Sequence, residues 1–229
     1  MSIKTVSSAT LKKKLKNGGF NDQNDNYMRI HRSISWIKAA EESSQKIDFQ
    51  FISLWIAFNC CYTETNNTSL EKGEITREKK NYKDFIQTID ALNQKGDYFS
   101  FLWLRFSNEI KSVIHNKFLY QGYWNAINDQ EEFSDEIIDK YFDRATSYLE
   151  KKDAVKLLGM VLDNLYVLRN QLIHGNSTYG SKVNRLQIKH GITILQHLNT
   201  INIETMIAHP NHQWGAIKYP VINKEKFFK

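Results

Sequence analysis

Proline is nearly absent from this chain, with two residues in 229, and glycine is held to ten. Few breakers over that length argue against many short strands and tight turns and favour long helices. Cysteine is as scarce: Cys60 and Cys61 are the only two, and they are neighbours. Adjacent cysteines rarely bridge one another, so no disulfide framework is expected. No run of 18 apolar residues occurs, and the N-terminal stretch lacks the apolar core of a signal peptide. A cytoplasmic protein with no membrane contact is the expectation. Also missing are a Walker A loop, a GxGxxG turn and a GxSxG elbow. Neither nucleotide-cofactor binding nor serine-hydrolase chemistry is expected, and no cofactor is.

Acidic residues are missing from the first 20 positions, which carry Lys4, Lys12, Lys13, Lys14 and Lys16. The net charge of +6 therefore sits mostly there, and the other 209 residues sum to +1. The segment shows no sustained periodicity and ends in the turn signal Asn17-Gly18-Gly19. Residues 1–20 are expected to be a flexible basic arm that can add phosphate contacts, ahead of a single domain over 21–229.

What is present is enough apolar material for one core: 41% hydrophobic and 13% aromatic residues. From position 25, Tyr27, Ile30, Ile34 and Ile37 recur at three- and four-residue steps, the mark of a helix with one buried stripe. Residues 47–63 are apolar nearly all round, as in a central helix. Asn59 lies inside it and must satisfy its amide against a neighbour; Asp48 reads as a first-turn or capping charge. Residues 64–80 read as a polar loop. Helices are expected over 79–93, from 98 through 118, and over 132–149, with a turn at 121–128. The aromatic residues of this middle block, Trp103, Phe106 and Trp124, read as core.

The strongest pattern lies in the last third. Ala154, Leu158, Val161, Leu165, Leu168 and Leu172 alternate four- and three-residue steps and define the core side of a helix that starts near Asp153. Asp163, Val167, Asn170 and His174 lie on the other side, with Asn170 and His174 one turn apart. Arg169 stands at the border, about 140° round the helix from His174. Gly175 reads as the residue that ends the helix, Ser181 as the cap of a final helix over 182–208, and Pro210 as its stop. The tail from Asn211 is expected to pack back as an irregular strap. The pairs His190/His197 and His209/His212 lack carboxylate or thiol companions, and no metal site is expected.

The stretch Leu168-Arg169-Asn170-Gln171-Leu172-Ile173-His174-Gly175 resembles the HEPN superfamily. That family's signature is an arginine, usually followed by a polar residue, and a histidine four to six positions on, near the end of the third core helix. The preceding apolar helix FISLWIAFNCCY and the continuation HGNSTYGSKVNR resemble bacterial members with an LRNxLxHG motif. The resemblance covers about 25–64 and 151–208 and implies an all-α, up-and-down four-helix core. A helical insertion, about 64–150, would separate its second and third helices. It also implies a homodimer in which two motifs meet in one cleft. Members with an intact motif are commonly metal-independent endoribonucleases in toxin–antitoxin, anti-phage or RNA-processing systems, so RNA and an antitoxin or defence partner are implied. Other members are inactive modules that bind RNA, a nucleotide or a protein.

Arg169, Asn170 and His174 are the catalytic candidates on that resemblance. A histidine can take or give a proton near neutral pH, and an arginine offers a fixed fork of donors to phosphate oxygens. Asn170 can hold the histidine or the phosphate. Lys182 and Arg185 are candidate substrate-binding cations, and Asn59 a candidate orienting residue.

Overall fold

The computed structural model describes residues 5–20, 24–62, 74–217 and 219. All regular structure in them is helical: α1 (Ser8–Asn17), α2 (Asp25–Glu42), α3 (Ile47–Tyr62), α4 (Glu74–Leu92), α5 (Asp97–Arg105), α6 (Lys111–Ile114), α7 (Gln121–Asn128), α8 (Glu136–Glu150), α9 (Ala154–Ile173) and α10 (Arg185–Ala208). One π turn (Phe106–Ile110) joins α5 to α6, and a 3-10 turn (Lys117–Leu119) precedes α7. No described helix is long and apolar enough to cross a membrane.

The apolar-all-round helix α3 forms the centre. Phe51, Leu54, Trp55, Ala57 and Phe58 are buried. The Ile30, Ile34 and Ile37 stripe of α2 packs on it, and Ser33 Oγ donates to Ala57 O at 2.8 Å. From the other side α10 approaches, and Asn199 Nδ2 donates to Leu54 O at 3.0 Å. Gly191 permits that approach: a Cβ there would stand 2.7 Å from Phe51 Cε2.

Residues 8–17 are not a flexible arm. They form α1, capped by Ser7, whose side chain accepts from Thr10 N–H. Leu11 and Leu15, four apart, are fully buried against the core, and Lys12, Lys13 and Lys16 face outward. Ser8 donates from its amide and its hydroxyl to the Glu41 carboxylate, and Lys14 pairs with Glu204. Two leucines suffice to dock a helix this short once a groove is present, and no longer stripe marks it in the sequence. Residues 1–4 lie outside the described part.

The middle block is part of the same core. Tyr82, Ile86, Ile89, Phe101, Ile110 and Val113 join one buried cluster with α3, α9 and α10. Polar ties cross it: Tyr98 to Asn202, Asn93 Nδ2 to Thr205 Oγ1 at 3.2 Å, and Asn164 Nδ2 to Val113 O at 2.9 Å. The expected turn at 121–128 is the helix α7, held by packing among Tyr120, Tyr123, Trp124 and Phe133. Trp103, expected in the core, is 64% exposed, whereas Phe106 stacks on Phe142.

Helix α9 starts as expected, with Asp153 accepting from Lys156 N–H at 3.1 Å. Its apolar line is buried from Ala154 to Leu168. The opposite side is covered too. Met160, Leu162, Tyr166 and Val167 are buried, because α4, α6 and α8 pack over it. Helix α10 begins at Arg185, three residues later than Ser181 suggested. Asn184 precedes it at φ +58°, and the Ser181 hydroxyl instead accepts from Val183 N–H. After Pro210 the chain packs back on α2 through Asn26 and Arg29, with Trp214 and Ile217 buried.

Candidate functional site

The last turn of α9 places the motif. Asn170 O accepts from His174 N–H at 3.0 Å, and Gly175 follows at φ +71°, a conformation that glycine adopts without strain. The chain therefore turns away directly after His174, whose side chain is exposed at the carboxyl end of the helix.

Arg169 points the other way. Its guanidinium lies over the Tyr166 ring, 5.7 Å from the centroid, and Nη1 donates to Asn170 Oδ1 at 2.8 Å. Helical side chains lean toward the N-terminus of their helix, which carries Arg169 back over Tyr166 and away from His174. Its Nε is buried without a hydrogen-bond partner among the described residues.

A polar seam backs this arginine. Tyr166 Oη donates to Glu78 Oε2 at 3.1 Å, and Tyr62 Oη donates to Asn59 Oδ1 at 2.8 Å, with Glu78 Oε1 3.4 Å away. Burial first, and the Glu78 carboxylate second, push both phenols above the ordinary tyrosine range; Arg169 opposes the shift. Both hydroxyls therefore stay protonated: Tyr166 donates to Glu78, and Tyr62 gives its single proton to Asn59. The seam continues along α4 and α9. Lys79 lies over the Tyr166 ring and 3.4 Å from Asp163, which also takes Lys83 at 2.9 Å and the Tyr82 hydroxyl.

The structure thus brings together Arg169, Asn170 and, through Tyr62 and Glu78, Asn59. His174 does not join them within one chain. Asn59 is half-buried and bonded within its own helix. Lys182 is exposed in the loop between α9 and α10. Arg185 is engaged elsewhere, in a two-pronged ion pair with Asp48 at 2.9 and 2.5 Å. Asp48 also accepts from Gly180 N–H at 3.2 Å, so it ties both the loop after α9 and the head of α10 to α3. Three other histidines have local contacts. His197 and His209 each pair a ring nitrogen with a carbonyl one turn back, and His212 lies edge-on to Trp214.

Glu78, Tyr62 and Tyr166 escaped the sequence reading. The two tyrosines stand three residues from Asn59 and Arg169, a spacing that places them on shared helix faces. Glu78 carries no local signal, because 88 positions separate it from Tyr166. Chemically, the region offers a braced guanidinium for an anionic oxygen and, one turn on, an imidazole open to solvent. No family model matches the chain, and no curated protein or solved structure does.

Proposed function

We propose that this chain is a metal-independent endoribonuclease of the HEPN type, with α2, α3, α9 and α10 as its four-helix core. The observation that carries the reading is the end of α9, where Arg169-Asn170 and an exposed His174 close one helix. Cleavage through the 2′-hydroxyl needs a base for its proton, donors for the charge on the crowded phosphorus, and an acid for the departing 5′-oxygen. One chain supplies one motif histidine. A two-fold homodimer supplies two, so that a neutral His174 takes the 2′-proton while the protonated His174 of a second copy delivers one to the leaving oxygen. The 2′-oxygen bonds to phosphorus as the bond to the 5′-oxygen breaks, leaving a 2′,3′-cyclic phosphate and a 5′-hydroxyl. In this mechanism Arg169 swings from its place over Tyr166 to donate to the phosphate oxygens, with Asn170 as its second partner. The biological role that fits is a growth-arrest or anti-phage effector restrained by an antitoxin-like partner.

The test is RNA cleavage by the purified protein in excess chelator. Activity is expected to persist there and to vanish in His174→Ala and in Arg169→Ala, each still dimeric by sedimentation. Cleavage that requires added metal, or variants as active as wild type, overturns the mechanism. Induced expression of wild type and His174→Ala, followed by sequencing of RNA ends, would locate the cut.

A second reading is a non-catalytic HEPN module that binds RNA, a nucleotide or a protein. The engagement of Arg169 by its own neighbour Asn170 favours it. Wild-type protein that binds RNA without cutting it would select this reading.

A further inference from the structure

Between Asp163 and Glu204 the chain contains no acidic residue, while Arg169, Lys182, Arg185 and Lys189 all fall there. The corner where α9 turns into α10 lies within that stretch. It carries an unusual exposed pair: Phe49 is 53% and Tyr179 62% accessible, and their rings touch, with centroids 5.4 Å apart at 50°. Val183 and Leu186 are exposed at the same corner, as are Lys182 and Lys189.

The aromatic pair is held in place by groups beneath it. Asp48, next to Phe49, is 8% exposed and takes the amide of Gly180, next to Tyr179. The same carboxylate grips Arg185 at the head of α10, and Asn184 Nδ2 donates to Gln171 Oε1 at 3.0 Å, closing the base of the loop. Each ring is thus the chain neighbour of an anchored group, so the backbone beneath it is held while the ring stays exposed. A Phe and a Tyr displayed in this way offer flat apolar surface beside cations, and His174 lies on the same loop.

We propose that this corner is a base-stacking platform for unpaired RNA, with bases on the outer faces of Tyr179 and Phe49 and flanking phosphates at Lys182 and Lys189. The inference rests on the reading of RNA as substrate and narrows it to single strands, because base faces are hidden inside a duplex. Charge favours this occupant over a second copy of the chain. A two-fold contact centred on the Phe49 and Tyr179 rings, as distinct from one centred on His174, sets Lys182 and Lys189 against their own copies, and Asp48 is already taken up by Arg185 and Gly180. A polyanion meets the same cations favourably.

The test uses a single-stranded 2′-O-methyl oligonucleotide of roughly 12 residues. It cannot be cut through the 2′-oxygen, so affinity is read whether or not the protein cleaves RNA. The full-length chain with both Phe49→Ala and Tyr179→Ala is expected to lose about tenfold or more in single-strand affinity. The matching duplex should bind it as it binds wild type. Phe49→Tyr with Tyr179→Phe restores the rings and is expected to restore binding, which separates stacking from misfolding. Lys182→Ala should lower the salt slope of binding by about one ion. Wild type that fails to prefer the single strand, or a double alanine variant that binds it normally, overturns the platform. So does a double variant that falls to monomers with affinity intact, which assigns the face to self-association. Tight single-strand binding without any cleavage keeps the platform and removes the nuclease reading alone.

Discussion

Replacing Asp48 tests whether Arg185 is a strut or a substrate ligand. The Asp48 side chain is 11% exposed and the Arg185 side chain 24%, and the two share a pair of bonds at 2.9 and 2.5 Å. Asp48→Ala leaves a largely buried guanidinium and the amide of Gly180 without their acceptor. Removing one partner of a fully buried pair costs about 3–5 kcal/mol, and an exposed pair contributes about 0–1 kcal/mol. Arg185 sits at the open end of α10 and can turn partly into water, so a loss of about 2–3 kcal/mol is expected. For a chain of this size that lowers Tm by about 5–10 °C. Arg185→Ala should cost somewhat less, since a carboxylate beside the Gly180 amide stays partly satisfied. The double variant Asp48→Ala, Arg185→Ala should recover part of the sum. Thermal and urea unfolding of the four proteins gives the coupling energy, expected near ~2 kcal/mol and only weakly sensitive to salt. Coupling below about 0.5 kcal/mol refutes the strut. So does an Arg185→Ala protein of full stability whose only defect is RNA affinity.

Other measurements probe the interior and its ionisable groups. Gly191→Ala gains about 1 kcal/mol of helix propensity but drives a Cβ to 2.7 Å from Phe51 and 3.1 Å from Leu165, both fully buried, so net destabilisation of about 1–2 kcal/mol is expected in urea titrations. The phenols of Tyr62 and Tyr98 are held well above the ordinary tyrosine range, chiefly by burial. The fold favours their neutral forms, so this stability is fully present below pH 10 and is lost as pH rises above it. At pH 11 each group should contribute a loss of about 1.4 kcal/mol in unfolding experiments. Burial lifts the Cys60 thiol from 9.0 to about 11, so at pH 8 its thiolate fraction falls about a hundredfold, and alkylation by iodoacetamide should be slower than in the unfolded chain by a similar factor.

The long helices α2, α3, α9 and α10 were legible in the residue order, because helix formation depends on periodicity and end signals that lie within a few positions of one another; α1 and α7, read as an arm and a turn, were not. The stripe of α2, the apolar girth of α3, the capping Asp153 and the turn-forming Gly175 each act locally, and each stands where its pattern placed it. So did the neighbourhood of Arg169, Asn170 and His174 at one helix end. What touches them was decided by packing. Leu11 and Leu15 dock α1 only because α2 and α10 form its groove. Glu78 reaches Tyr166 across 88 residues and Asp48 grips Arg185 across 137, distances over which no sequence period carries information. The same packing covers much of the second face of α9, which its residue pattern left off the core side, and turns Arg169 toward the tyrosine–glutamate seam and away from His174. Local order wrote the helices and the residue types at their ends; only the tertiary contacts chose which of those residues are braced, which are paired, and which are left facing solvent.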